Sequence, residues 1–494
     1  MLRKIRIWAG TVFFVLITAL LLDITGALHH WLGWTARVQF LPSLMAGNFI
    51  IVACLLVLTL VFGRVYCSLI CPFGVMQDVI ARLGRMPKGK KYRYSYSPAV
   101  KWLRYGMFVL FIMAMLAGIG SFVALLAPYS SYGRIVQNLF QPVYIWGNNA
   151  LAAIAEHFHS YTFYHRDVWI RSISTFVIAT VTFVGIAILA WRNGRTYCNT
   201  ICPVGTFLGF FSSVSLFRVQ IDTDKCTGCG LCAKGCKASC IDPKAHAIDY
   251  SRCVTCFDCL DNCHQGAITY TRGRVKASDN APEKGADKVD RTRRAVITGI
   301  ALAGAGAVMA QEQKKVDGGL AAITAKKEPG RETPLHPAGS VSYDSFASRC
   351  TACQLCVAAC PNDVLRPSAD LGSLMQPYMS YERGYCRPEC TRCSEVCPAG
   401  AIRPITREEK SSIKIGTAVW IADNCLPVTD GIDCGNCARH CPAGAITMVE
   451  NADCVMIPAV NTERCIGCGA CENLCPARPF SAIYVEGHLS HRTI

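Results

Sequence analysis

The sequence predicts a multidomain membrane protein, with an α-helical four-helix transmembrane unit joined to two cysteine-rich α+β domains. Three observations predict it. Four apolar runs, nearly free of charge, reach the about 20 residues that a helix needs to cross a bilayer core; they lie at Ile7–Leu28, Ser43–Phe62, Tyr105–Ala127 and Ile173–Trp191. Of 494 residues 31 are Cys, in tight groups two or three residues apart, which is metal-ligand spacing. A disulfide scaffold this rich in Cys would normally be short and secreted. Only 17% of residues are charged, low for a soluble chain. The net charge of +16 is not gathered into a short basic nucleic-acid motif, so no nucleic-acid partner is expected.

The basic residues orient the helical unit. Between the second and third runs stand Arg64, Arg82, Arg85, Lys88, Lys90, Lys91, Arg93, Lys101 and Arg104, and Arg192 and Arg195 follow the fourth. The loops at Trp31–Pro42 and Pro128–Arg171 hold few Lys or Arg. Both ends of the unit, residues 1–217, therefore face the cytoplasm. The Pro128–Arg171 loop, with Tyr129, Tyr132, Phe140, Tyr144, Trp146, Phe158, Tyr161 and Trp169, is expected to lie back on the outer interface, where aromatic rings are favoured.

An internal repeat follows the second and fourth runs: Arg64-Val-Tyr66-Cys67-Ser-Leu-Ile70-Cys71-Pro72-Phe-Gly74 and Arg195-Thr-Tyr197-Cys198-Asn-Thr-Ile201-Cys202-Pro203-Val-Gly205. Repeats at equivalent places predict two related helix pairs facing each other. Thiols at i and i+4 share a helix face, so four could converge at the inner membrane edge. Three readings stand open for Cys67, Cys71, Cys198 and Cys202: an additional Fe–S site, a redox-active thiol set, or structural cysteines.

Residues 218–271 carry Cys226-x2-Cys229-x2-Cys232-x3-Cys236 and Cys253-x2-Cys256-x2-Cys259-x3-Cys263. This is the bacterial ferredoxin spacing, in which each group sends its fourth Cys to the other group's cluster. One 4Fe–4S cluster is thus expected on Cys226, Cys229, Cys232 and Cys263, and a second on Cys253, Cys256, Cys259 and Cys236. Lys237 and His264 stand where Pro is usual, and Cys240 is an extra thiol able to replace Cys236.

Residues 272–340 read as a polar linker interrupted at about 291–310 by Arg293-Arg294 and a Gly/Ala-rich apolar stretch. This resembles an internal Tat export signal; Val308-Met309-Ala310 resembles a cleavage site, and three readings stand open: a fifth crossing, a cleaved segment, or a weakly apolar soluble helix with coincidental arginines.

Residues 341–494 hold four more groups, each ending in Cys-Pro: Cys350, Cys353, Cys356, Cys360; Cys386, Cys390, Cys393, Cys397; Cys425, Cys434, Cys437, Cys441; and Cys465, Cys468, Cys471, Cys475. They make room for four further 4Fe–4S clusters, six in all, in a second bacterial-ferredoxin-like domain. Cys54 and Cys454 lie outside every group and read as ordinary small residues.

On these motifs, residues 1–271 resemble the NapH/MauN membrane ferredoxins and residues 291–494 the Tat-exported, periplasmic NapG/MauM four-cluster ferredoxins, as a fusion of the two. The resemblance implies pairing of outer with outer and inner with inner groups: Cys350, Cys353, Cys356 with Cys475; Cys465, Cys468, Cys471 with Cys360; Cys386, Cys390, Cys393 with Cys441; Cys425, Cys434, Cys437 with Cys397. It also implies a bacterial inner-membrane protein that oxidises quinol and delivers electrons to a periplasmic reductase or cytochrome. His29, His30, His157, His159 and His165 are candidate proton acceptors, with ordinary interface roles as the alternative. A cytoplasmic Fe–S pair is not obviously needed for that task. It favours a second reading, transmembrane supply of reductant from a cytoplasmic donor to mature or reactivate a periplasmic metalloenzyme. A third reading is a scaffold that docks a reductase. The sequence holds no Cys-x2-Cys-His haem site and no evident molybdopterin, flavin or nucleotide signature, so the terminal chemistry is expected in a partner.

Overall fold

The computed structural model describes residues 1–23, 26–84, 94–160, 162–272, 325–452 and 454–493. The twin-arginine segment at 291–310 therefore lies outside the described residues. The first half is helical: α1 Leu2–Leu22, α2 Ala27–Arg37, α3 Phe40–Met45, α4 Phe49–Phe62, α5 Val65–Leu69, α6 Pro72–Leu83, α7 Lys101–Leu116, α8 Gly120–Leu126, α9 Pro128–Ile135, α10 Gln141–His157, α11 Ile173–Asn193, α12 Thr196–Thr200 and α13 Pro203–Ser213.

Two of the four apolar runs become helices long and apolar enough to cross a membrane, α1 and α11, each of 21 residues. The other two are broken. Gly47, at φ 71°, and Asn48, whose side chain caps α4, divide the second run; Gly118, at φ 72°, ends α7 and divides the third. Left-handed backbone suits Gly and stops an α-helix. What remains of these runs is α4, of 14 residues, and α7, of 16, or about 21 and 24 Å at 1.5 Å per residue.

The helical unit is built twice. α1 packs on α2, α5 and α6, as α7 packs on α8, α12 and α13. α4 meets α3 and α13, and α11 meets α9 and α6. Gly63 (φ 76°) ends α4 and Gly194 (φ 73°) ends α11, and the chain then turns back into the unit. Pro72 and Pro203 open α6 and α13 at N1, where a missing N–H costs nothing. The Cys repeats lie in the core of the unit: Cys67, Cys71, Cys198 and Cys202 are buried in one cluster with Phe40, Tyr129, Tyr132 and Leu208.

A cysteine-rich module docks at each end. The first comprises β1 Phe217–Ile221, α14 Leu231–Gly235, β2 Ile241–Asp242, β3 Ala247–Ile248, α15 Asp258–Asn262 and β4 Ile268–Arg272, with β1 antiparallel to β4. It meets the start of α1 through Arg3–Asp258 at 2.9 Å, the end of α4 through Tyr270 Oη to Phe62 O at 3.0 Å, and the start of α7 through Arg104 to Ser251. The second module includes α16 Tyr343–Arg349, α17 Leu355–Ala359, β5 Leu365–Pro367, β6 Pro377–Met379, α18 Arg392–Val396, β7 Ile413–Trp420, β8 Ile446–Glu450, β9 Met456–Val460 and β10 Ile483–Thr493. It meets the opposite ends of the same helices: α17 touches α1, Gly400 lies by Ala46 ahead of α4, and Gly120 at the start of α8 abuts Ala347. Asp363 pairs with Arg171 just before α11.

The long aromatic loop is largely α9 and α10. Tyr144, Trp146 and Phe158 are exposed, but Tyr129 and Tyr132 are 2% and 0% exposed, because α9 inserts beneath the second module. Trp169 lies between the guanidinium groups of Arg366 and Arg383, 4.8 and 4.4 Å from its ring centre.

Candidate iron–sulfur centres

In the second module the thiols converge in fours, but with neighbouring groups exchanging ligands. Cys360 shares a cavity with Cys386, Cys390 and Cys393, and Cys397 is the outside thiol close enough to act on all three of Cys350, Cys353 and Cys356. Cys475 shares a cavity with Cys425, Cys434 and Cys437, and Cys441 with Cys465, Cys468 and Cys471. This corrects the outer-with-outer pairing implied by the resemblance. The cause is local. α17 packs on α18, and the short helix at 436–439 on that at 470–474, so the Cys ending each helix arrives beside the loop that opens the other. The module is therefore two successive dicluster units rather than one nested set.

The donor sets suit clusters. The cavities are lined by thiols and mostly apolar side chains, with Lys410 and Arg392 added at the first, and main-chain amides are aimed at sulfur: Ala418 N to Cys465 Sγ at 3.4 Å, Ala445 N to Cys441 Sγ at 3.3 Å, Ala482 N to Cys475 Sγ at 3.3 Å and Ile402 N to Cys397 Sγ at 3.5 Å. Such hydrogen bonds set the potential of a bound cluster.

In the first module Cys253, Cys256, Cys259 and Cys236 line one cavity, as the spacing predicted, and Cys240 joins them as a fifth thiol. Its Sγ is 3.6 Å from that of Cys236. Cys226, Cys229 and Cys232 occupy the loop leading into α14, while Cys263 ends α15, which packs on α14. Cys54 and Cys454 are exposed and apart from every group.

Three family models match the chain, one in the helical unit and two in the cysteine-rich modules. One described as a 4Fe-4S binding domain matches residues 44–91 and 175–221, a 4Fe-4S dicluster domain matches 432–478, and a further 4Fe-4S binding domain matches 219–242 and 346–366. The ferredoxin-type protein NapG of Escherichia coli (strain K12) is 33% identical over 177 residues, 32% of this chain and 75% of that protein. The methylamine utilization ferredoxin-type protein MauM of Methylobacillus flagellatus is 30% identical over 165 residues, 32% of this chain and 70% of that protein. The chain belongs to the NapG/MauM family of ferredoxin-type proteins. It is also 25% identical over 247 residues to the putative electron transport protein YccM of Escherichia coli (strain K12), 49% of this chain and 60% of that protein. No solved structure matches the chain. As a NapG/MauM-type ferredoxin it binds 4Fe–4S clusters, whose chemistry is one-electron transfer. The dicluster match at 432–478 takes in most of the third Cys group and all of the fourth, the same two that exchange ligands in space.

Sequence reasoning passed over the cations that serve these NapG/MauM-type sites. Lys410 is buried and donates to the carbonyls of Arg387 and Cys390. Burial by itself would lower its pKa, but Cys386 and Cys393 hold it above the ordinary value. Lys326 donates to the carbonyls of Glu472, Asn473 and Cys475, and burial, with Arg478 nearby, pulls it down to about 8. Neither lysine lies in a Cys motif, so nothing local marked them.

The five candidate histidines are not brought together. His29 and His30 lie on α2 and His157 ends α10, with His159 and His165 just beyond it. A different His carries a pH effect. His336, 4% exposed, lies 5.1 and 4.9 Å from the ring centres of Tyr343 and Phe346. Burial, with His491 next, lowers its pKa to about 4. The folded state therefore binds fewer protons than the unfolded one, whose His titrates near about 6.5. The contribution of His336 is complete above that pH and is lost as pH falls toward 4. From pH 6.5 to 5 the second module should lose about 2 kcal/mol, read as a falling melting temperature that His336→Phe makes flatter.

Proposed function

We propose that the chain is a multi-pass inner-membrane electron conduit that joins a cytoplasmic Fe–S module to a periplasmic one and feeds a periplasmic reductase or cytochrome. The observation that carries this reading is the docking of one cysteine module at each end of the same four helices, α1, α4, α7 and α11. In this reading residues 1–271 act as a NapH/MauN-type membrane ferredoxin fused to the NapG/MauM-type domain. The conduit needs one further crossing between the two modules, for which the sequence offers the apolar stretch after Arg293-Arg294 as a candidate.

The residues proposed to hold the six clusters are Cys226, Cys229, Cys232 and Cys263; Cys253, Cys256, Cys259 and Cys236; and the four exchanged sets of the second module. Lys410 and Lys326 place positive charge beside two of them. The first electron donor is either quinol, as the NapH/MauN resemblance implies, or a low-potential cytoplasmic protein. The docked first module favours the latter, since a quinol site has no evident need of it.

The full chain, reconstituted in sealed vesicles with a defined orientation, tests the conduit. A membrane-impermeant low-potential donor added on the first-module side should bleach an impermeant oxidised acceptor on the other side. No transfer with that donor, but reduction of the clusters by a menaquinol analogue, would replace the conduit by a quinol dehydrogenase.

A further inference from the structure

Between the two modules lies a set of groups that the six clusters do not use. Arg64 and Arg195, equivalent in the repeat, are both 0% exposed, and they cross the pseudo-twofold axis. Arg64 Nη2 donates to Cys198 O at 3.2 Å and Arg195 Nη1 to Cys67 O at 2.5 Å. Gly74 and Gly205 permit the crossing, since a Cβ on either would stand 2.2 or 2.3 Å from the same carbonyls. The four thiols of the two repeats, Cys67, Cys71, Cys198 and Cys202, are all buried in one cluster. Gln77 Nε2 is 3.2 Å from Cys198 Sγ and Arg64 Nη2 is 3.8 Å from Cys67 Sγ.

The charge is lopsided. Arg195 has a carboxylate, Asp78, at 2.7 Å. Counting from each repeat's Cys-Pro, the residue equivalent to Asp78 is Gly209, whose α-carbon side is filled by the guanidinium of Arg104. Among the described residues Arg64 makes no ion pair: it donates to Asn199 Oδ1, to Ser251 O, to Cys198 O and toward Cys67 Sγ, and its Nε has no partner. Arg134, 1% exposed on the other side of the site, likewise contacts only carbonyls and Ser131 among the described residues. A buried guanidinium without an anion is strongly unfavourable. Four neutral thiols do not relieve that cost, whereas a tetrathiolate centre carries net negative charge and does.

We propose that Cys67, Cys71, Cys198 and Cys202 together hold a single shared iron–sulfur centre, one for both repeats, with Arg64 as its counter-charge. The site has a side chain toward each module. Arg64 reaches Ser251 O, two residues from Cys253. Tyr197 Oη donates to Leu126 O at 3.3 Å, and Gly133 on the adjoining α9 lies against Cys353. The inference rests on the conduit reading, since it supplies a redox centre between the two faces.

Native mass spectrometry of the anaerobically purified full chain counts the centres directly. Six cubane clusters alone carry about 24 irons; a shared 2Fe–2S or 4Fe–4S centre raises this to about 26 or 28. The extra mass and iron should vanish in Cys67→Ser/Cys198→Ser while the other six signals persist. Arg64→Met should shift the midpoint potential of the additional EPR signal, and Arg64→Lys should restore it. An intact native chain holding six clusters and no further iron overturns the inference even if the double variant fails to fold, and it leaves the vesicle assay of the conduit to be read independently.

Discussion

Asp78→Asn is expected to loosen the first module from the helical unit. The carboxylate is the single acid shared by Arg195 at 2.7 Å, Arg6 at 2.7 Å and Lys237 at 2.8 Å, and those three side chains are 0%, 8% and 5% exposed. Lys237 has a second partner in Asp258 at 3.3 Å, but Asp258 also serves Arg3. Removing one member of a buried pair costs about 3–5 kcal/mol, because the remaining charge is left uncompensated; here three cations lose an acceptor at once. Differential scanning calorimetry in detergent should show an early transition, and limited proteolysis should cut near 214–225, with the iron content of the first module retained. Lys237→Met, which removes one cation and leaves the acid with two, should cost less. An unchanged melting profile for Asp78→Asn would show that this network does not hold the interface.

Gly120→Val combined with Gly133→Val should separate the second module from the other end. A Cβ on Gly120 would stand 2.3 Å from Ala347 O, and one on Gly133 would stand 2.3 Å from Cys353 O. Both obstacles are backbone, so a side-chain shift cannot relieve them. Overpacking costs about 1–3 kcal/mol per site, occasionally more, so the pair should lose about 2–6 kcal/mol of docking free energy. Gly133 touches the loop that carries Cys353, which adds a spectroscopic readout: the EPR signal of the cluster nearest the helices should broaden or shift while those farther away stay constant. Gly106, with open space where its Cβ would be, supplies the control, since Gly106→Ala should change neither docking nor spectra.

The departure of the first module from the usual Cys-Pro ending has its reason at the same interface. Lys237 occupies the position after Cys236 because its ammonium enters the Asp78 network and its carbonyl accepts from Arg195 N at 2.8 Å. Proline there would keep the carbonyl and lose the ion pairs. A reader of the sequence sees an irregular ferredoxin motif; the docked module shows a contact.

Much of this protein was legible in the one-dimensional string. Ligand identity follows from local spacing, because three thiolates of one cluster come from a single short loop, and such loops need no distant partner to be recognised. The two Cys repeats likewise announced a doubled helical unit. The four-thiol cavities and the 4Fe-4S family matches agree with the first of these, and the paired helix contacts with the second. What spacing could not decide was which group lends its last Cys to which, since that depends on the packing of α17 on α18 and not on the order of groups along the chain. Nor could it decide how deep the repeats lie: hydropathy runs continuously through Ser43–Phe62 and Tyr105–Ala127, and only Gly47, Gly118 and the turns at Gly63 and Gly194 bring the chain back into the core. The charge balance around Cys67, Cys71, Cys198 and Cys202 was least visible of all. It compares Asp78 with Gly209 across a pseudo-twofold axis, and electrostatic compensation is a property of distance in space, which the tertiary structure alone sets.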